Sequence, residues 1–127
     1  MPQQPVEMIL IKQWASLMAV PVWISDADGR LVYYNEPAEQ ILGLRFEDAG
    51  ELSADRVAEV FVISDLDGSP LADDQIPLLF ALTKHVSTHR RLRFLRADKR
   101  WSEIAVTAIP IIGEGNRHLG AMVTMWE

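Results

Sequence analysis

The stretch Val22–Gly43, VWISDADGRLVYYNEPAEQILG, constrains the fold more than any other part of the chain. Val22, Ile24 and Asp26 alternate with Trp23 and Ser25, the two-residue period of a strand with two distinct faces. Asp28-Gly29 follows, and glycine tolerates the positive φ of a tight reversal, so a hairpin is predicted. A second strand then runs to Asn35. Glu36-Pro37 comes next, and proline suits the first turn of a helix, where its missing N–H costs nothing. Asn35 is therefore placed to cap that helix.

Further along, Asp67-Gly68-Ser69-Pro70-Leu71 leads into a predicted helix, Asp74–Lys84. Three strands follow: Thr88–Arg96, Trp101–Ile111 and His118–Trp126. This order of elements, with the pattern D-x-D-G-x-L-x-Y-x-N-x-x-A-E-x-x-L-G over Asp26–Gly43, resembles a PAS domain. The resemblance spans Val22 to Glu127. It implies an α+β fold: a five-stranded antiparallel sheet with helices on one face and an N-terminal helix flanking the outer face. Residues 1–21 then form an amphipathic dimerisation helix and 22–127 the PAS-like domain. The implied role is signal sensing, with a small apolar or aromatic ligand in the core and a dimer that carries the signal. The alternative is a ligand-free module for protein–protein interaction and dimerisation.

A chain of 127 residues makes one domain. Its net charge of −6 argues against general nucleic-acid binding, which needs a basic face. The absence of cysteine excludes disulfides, thiolate catalysis and cysteine-ligated zinc. It equally excludes the flavin–cysteinyl adduct of light-sensing PAS relatives and a thioester-linked chromophore. No apolar run is long enough to span a membrane and no signal peptide is evident, so the cytoplasm is expected. The initial methionine and the lack of a second module favour a free-standing sensor over an excised domain. Nucleophile–base pairs, phosphate loops and paired carboxylates in a cleft are likewise missing from the pattern, so no enzymatic activity is expected.

Val6–Met18 is predicted to be helical, stopping before Pro21. Val6, Leu10, Trp14 and Leu17 form one apolar stripe; Met8, Ile11, Ala15 and Met18 form its neighbour. An arc this wide suits two partners, the helix's own sheet and a second copy of the chain. A helix sunk wholly into its own domain is the plainer alternative. The strand Leu119–Trp126 is apolar on both parities, and Trp101–Ile111 partly so, which points to a sheet covered on both faces. The expected dimer contacts are Leu10, Ile11, Trp14, Met18, Trp23, Val123 and Met125.

Carried over strand by strand, the resemblance implies a cavity lined by Ile24, Tyr33, Leu92, Phe94, Ile104, Val106, Met122 and Thr124. Val22 and Leu31 share these parities, and Leu78 and Leu82, with Leu79, reach in from the helix. The lining is apolar with few polar handles and suits a small hydrophobic ligand. A solid core has the same residue types, so both readings stand.

Some PAS sensors hold haem through a histidine on the helix before the third strand. His85 comes too late for that role, and a histidine at a helix C-terminus complements the helix dipole. His89 and His118 lack partners at metal-ligand spacing, so no metal site is expected. Asp26–Gly29 and Asp65–Gly68 have glycine fourth, whereas a calcium loop needs it sixth, so both are read as turns. Arg90, Arg91, Arg93, Arg96, Lys99 and Arg100 form the basic cluster, read as a solvated edge, with a docking patch for an acidic partner as the alternative. Arg90 shares the parity of Leu92 and Phe94, which would let it reach a ligand carboxylate in the cavity.

Overall fold

A computed structural model describes residues 5–126. Met1–Gln4 of the expected 1–21 segment, and Glu127 at the end of the expected 22–127 domain, lie outside the described residues. The chain begins with helix α1 (Val6–Leu17), then the hairpin β1 (Val22–Asp26) and β2 (Leu31–Tyr34). Three short helices follow, α2 (Glu36–Leu42), α3 (Phe46–Ala49) and α4 (Ala54–Val60), then the two-residue strand β3 (Ile63–Ser64). Helix α5 (Pro77–Lys84) precedes the long meander β4 (Thr88–Leu95), β5 (Trp101–Ile112) and β6 (His118–Trp126). No helix among the described residues is long and apolar enough to cross a membrane.

The strands form one antiparallel sheet in the order β2-β1-β6-β5-β4-β3. The expected five strands become six because Ile63 pairs with Phe94 and Ser64 with Arg93. Two residues are too short for any periodicity to register, so β3 left no trace in the pattern. The helix expected over Asp74–Lys84 starts later: Asp73–Gln75 is a 3₁₀ turn, and Pro77 opens α5.

Three reversals share one construction. Asp26 N–H donates to Arg30 O (2.9 Å), Asp65 N–H to Ser69 O (2.9 Å) and Arg96 N–H to Arg100 O (2.8 Å). In each, the fourth residue (Gly29, Gly68, Lys99) has positive φ. The carboxylates of Asp26, Asp67 and Asp98 accept backbone N–H groups inside their own turns, as side chains of this length do.

Helices α2–α4 and α5 cover one face of the sheet, and α1 covers part of the other. Trp23, Leu31, Tyr34, Leu92, Phe94, Ile104, Val106 and Met125 point inward, against Ile41, Leu42, Phe46, Val57, Val60 and Phe61. Beside them, Ala81 of α5 packs on Ala108 and Ala121, with Leu78 and Leu82 flanking. On the outer face, Met8, Ala15 and Ile11 of α1 pack on Val22, Ile24, Val32 and Ile111.

The expected facing of β1 and β6 is therefore reversed. Ile24, Tyr33 and Met122, assigned to the cavity, belong to the outer layer with α1. Thr124 also faces outward: it pairs with outward-facing Val22, and its hydroxyl donates to Pro21 O at 2.9 Å. Trp23, Val123 and Met125, assigned to the dimer contact, face the inner core instead. The physical reason is that these central strands are apolar on both sides. A one-residue shift in parity leaves such a pattern looking the same.

Candidate functional site

The inner face is organised around aromatic rings. Trp23 meets Phe61 edge-on at 5.3 Å, and Phe61 lies 6.0 Å from Phe94. Phe46 packs edge-on against Tyr34 at 5.2 Å and Tyr33 at 5.3 Å. Rings in these arrangements fill space while satisfying their quadrupoles, so much of the volume under the sheet is taken by side chains. Leu92, Phe94, Ile104 and Val106, expected to line a cavity, do face this interior, as do Leu78 and Leu82 from α5.

At one end of the interior the packing opens. A groove of about 220 Å³ lies among Val20, Pro21, Ile41, Phe94, Ile104 and Met125, with Arg96 and Trp126 at its sides. A second recess of about 280 Å³ continues from Ile41, Phe94 and Arg96 past Val60 to Lys99, with Glu59 also at its edge. Ile41 of α2, Phe94 and Arg96 thus border both. Phe94 and Ile104 are the members of the expected lining that border the groove. The others from that set sit deeper or on the opposite face. Val20, Pro21 and Ile41 were missed because the linker after α1 and the far side of α2 carry no periodic signal toward the sheet.

Two polar atoms in the same core stand out. Trp23 and Tyr34 are cross-strand neighbours on the inner face, and both are almost fully buried. Trp23 Nε1 and the Tyr34 hydroxyl have no hydrogen-bond partner among the described residues. An unmet buried donor costs about 1–3 kcal/mol. Burial, then the nearby Glu39 and Asp48 carboxylates, push the Tyr34 phenol above its ordinary value, so it remains a protonated donor.

The outer surface differs in kind. Of the expected dimer contacts, Leu10 and Trp14 are exposed on α1 and Met18 just past its end, while Ile11 is half-buried against the sheet. The first of the two predicted stripes is the uncovered one: Val6, Leu10, Trp14 and Leu17 are 63%, 48%, 66% and 84% exposed. Exposed Ile109, Trp101 and Trp126 add apolar surface on the outward parity of the sheet. The helix is anchored at its start by the Glu7 carboxylate, which accepts Glu114 N–H at 2.8 Å.

The basic strand is largely engaged within the fold. Arg91 pairs with Glu103 at 2.9 Å, and Arg93 lies over the Trp101 ring at 4.9 Å. Arg90 pairs with Asp65 at 3.1 Å, so its guanidinium is held at the β3 end of the sheet, away from the groove. His89 shares a hydrogen bond with Thr107 (2.7 Å). His85, in the left-handed residue that closes α5, stacks on His118 at 3.5 Å and 16°. That pairing joins the end of α5 to the start of β6, a contact that sequence spacing could not reveal. No cluster of three or more metal-ligating side chains occurs among the described residues.

Comparison with known proteins follows this architecture. A family model described as the PAS fold matches residues 11–126. Among solved structures, a PAS domain from Colwellia psychrerythraea is 17% identical with a TM-score of 0.64, covering 94% of this chain and 95% of that one. The Rhodobacter sphaeroides LOV protein is also 17% identical, with a TM-score of 0.73, covering 97% of this chain and 68% of that one. The PAS domain of the fruit-fly ELK potassium channel has a TM-score of 0.72 at 9% identity, covering 94% of this chain and 95% of that one. Among curated proteins, none matches. The element order, the two-sided sheet and the family match over nearly the whole chain lead to one conclusion: the chain belongs to the PAS-fold family, whose members are sensor and interaction modules.

Proposed function

We propose that this chain is a signalling module that works as a homodimer, with α1 and the uncovered sheet face as the contact. The observation that carries the reading is the Val6–Leu10–Trp14–Leu17 stripe, which is turned away from the chain's own core. Four large apolar side chains aligned at helical spacing are costly to leave in water, and a two-fold contact would bury each stripe against its copy. The outward-facing Ile109 and Trp126 give the same surface a second wall. The proposed contact comprises Leu10, Trp14 and Met18 with Val6 and Leu17, all exposed in the single chain.

The signal, on this reading, is a small apolar or aromatic molecule that enters the groove beside Ile41, Phe94, Ile104 and Met125. Trp23 Nε1 and the Tyr34 hydroxyl are unpaired donors in the core that the groove opens from, though neither residue lines the groove itself. A ligand-free interaction module is the second reading, favoured by the Trp23–Phe61–Phe94 packing that occupies the interior. Native mass spectrometry of the untagged protein separates the two. A dimer with an additional bound mass supports the sensor; a dimer that stays bare when small aromatic compounds are added supports the interaction module. A monomer contradicts both.

A further inference from the structure

One side chain closes two helices. Asn35 Oδ1 accepts Val22 N–H at 3.0 Å and Ala38 N–H at 3.2 Å; its Nδ2 donates to Ala15 O at 2.8 Å and Val20 O at 2.9 Å. A carboxamide has two donors and room for two acceptor bonds, so Asn35 is saturated, and it is fully buried. Ala38 N–H lies in the first turn of α2, where amides lack partners within the helix. Ala15 O lies in the last turn of α1, where it accepts Met18 N–H at 3.1 Å and takes the Asn35 amide as its second donor. The end of the exposed helix and the start of the groove-lining helix are therefore tied through a single residue.

Apart from the Glu7–Glu114 hydrogen bond at its start, the rest of the attachment of α1 is slight. Only Met8 and Ala15 of its 12 residues are buried, and Pro5 gives no side-chain cap. A helix this short is marginal without tertiary support. Such elements open separately from the core when their few anchors are lost.

We propose that Asn35 is a coupling residue that links α2 to α1. In the docked state its amide donors hold the C-terminal turn of α1. Movement of α2, whose Ile41 forms the groove wall, pulls Asn35 Oδ1 and so loosens Nδ2 from Ala15 and Val20. The two states differ in these donor bonds, which gives a ligand at the groove a physical means to bias the α1 surface. The functional part of this inference rests on the groove as input and α1 as output; the tether itself does not.

Asn35→Asp tests it. Aspartate keeps both acceptor bonds and remains a good cap for α2, but it has no donors and repels the Ala15 and Val20 carbonyls. Amide hydrogen exchange is expected to speed up by about tenfold or more across α1, with Val22, Ala38 and the β4–β6 amides close to wild type. Uniform loss of protection, or an unchanged α1, overturns the proposal. Repeating the comparison in a Trp14→Asp background separates release of α1 from loss of a dimer contact. If Asn35→Asp does not fold, Asn35→Ser, whose hydroxyl still caps α2, carries the same expectation. Failure of both variants to fold would make Asn35 a core residue and overturn the coupling role.

Discussion

Gly120, with φ at 152°, occupies the place where β6 runs against the end of β1. A Cβ there would drive into the Ser25 carbonyl oxygen and the Asp26 Cα, both backbone atoms that cannot swing aside. Gly120→Ala is therefore expected to cost about 2–4 kcal/mol in urea unfolding, through strain in φ and displacement of β1. A cost below about 0.5 kcal/mol, the range of neutral surface changes, would mean that the two strands separate freely here. Glu7 offers a test by pH. The Glu114 N–H, then its own backbone amide, hold its carboxyl below the ordinary range, with Arg117 adding to the effect against a small opposing contribution from burial. A depressed folded value means that the stabilisation is complete above the unfolded value and is lost as pH falls through the folded one. Amide protection in the first turn of α1 is expected to decline on acidification through that window. In Glu7→Gln this step should be absent, and a step that persists would assign it to another carboxylate.

At the scale of elements, α5 shows how closely a helix can sit on a sheet. Ala81, Ala108 and Ala121 are each fully buried where α5 meets β5 and β6. Small side chains allow this approach, and added volume has nowhere to go. Ala81→Leu is expected to destabilise by about 1–3 kcal/mol by thermal or denaturant unfolding, and a neutral result would place a void at this contact. The same elements explain which faces could be read from the sequence. In β4, Leu92 and Phe94 alternate with Arg91 and Arg93, so charge marks the outward side and the inward facing of Leu92 and Phe94 is legible. In β1 and β6 both parities are apolar, because α1 covers outside what α2–α5 cover inside. Parity there had nothing to distinguish it. Asn35 was legible as a cap for α2, since Pro37 fixed the helix start. Its bonds to Ala15 and Val20 were not, because they join residues 15–20 positions apart whose carbonyls carry no identity in the sequence. The groove escaped for a similar reason: it lies where α2, the β1 approach and the end of β4 converge.

For the molecule as a whole, the proposed reading assigns a different role to each face of the sheet. The inner face, closed over much of its area by aromatic packing, opens at the end bordered by Ile41 and Phe94. The outer face carries α1, which is folded against the sheet along one stripe and bare along the other. Asn35 stands between them. The account depends most on the bare stripe being a contact between copies. Sedimentation equilibrium of the wild-type chain and of Leu10→Asp/Trp14→Asp tests that most directly. Both residues are exposed in the single chain, so the double variant should still unfold cooperatively, its midpoint lowered only by the concentration-dependent stabilisation that the dimer gives the wild type. The account predicts a wild-type dimer and a folded monomeric variant. A wild-type monomer, or a variant that still sediments as a dimer, would contradict it.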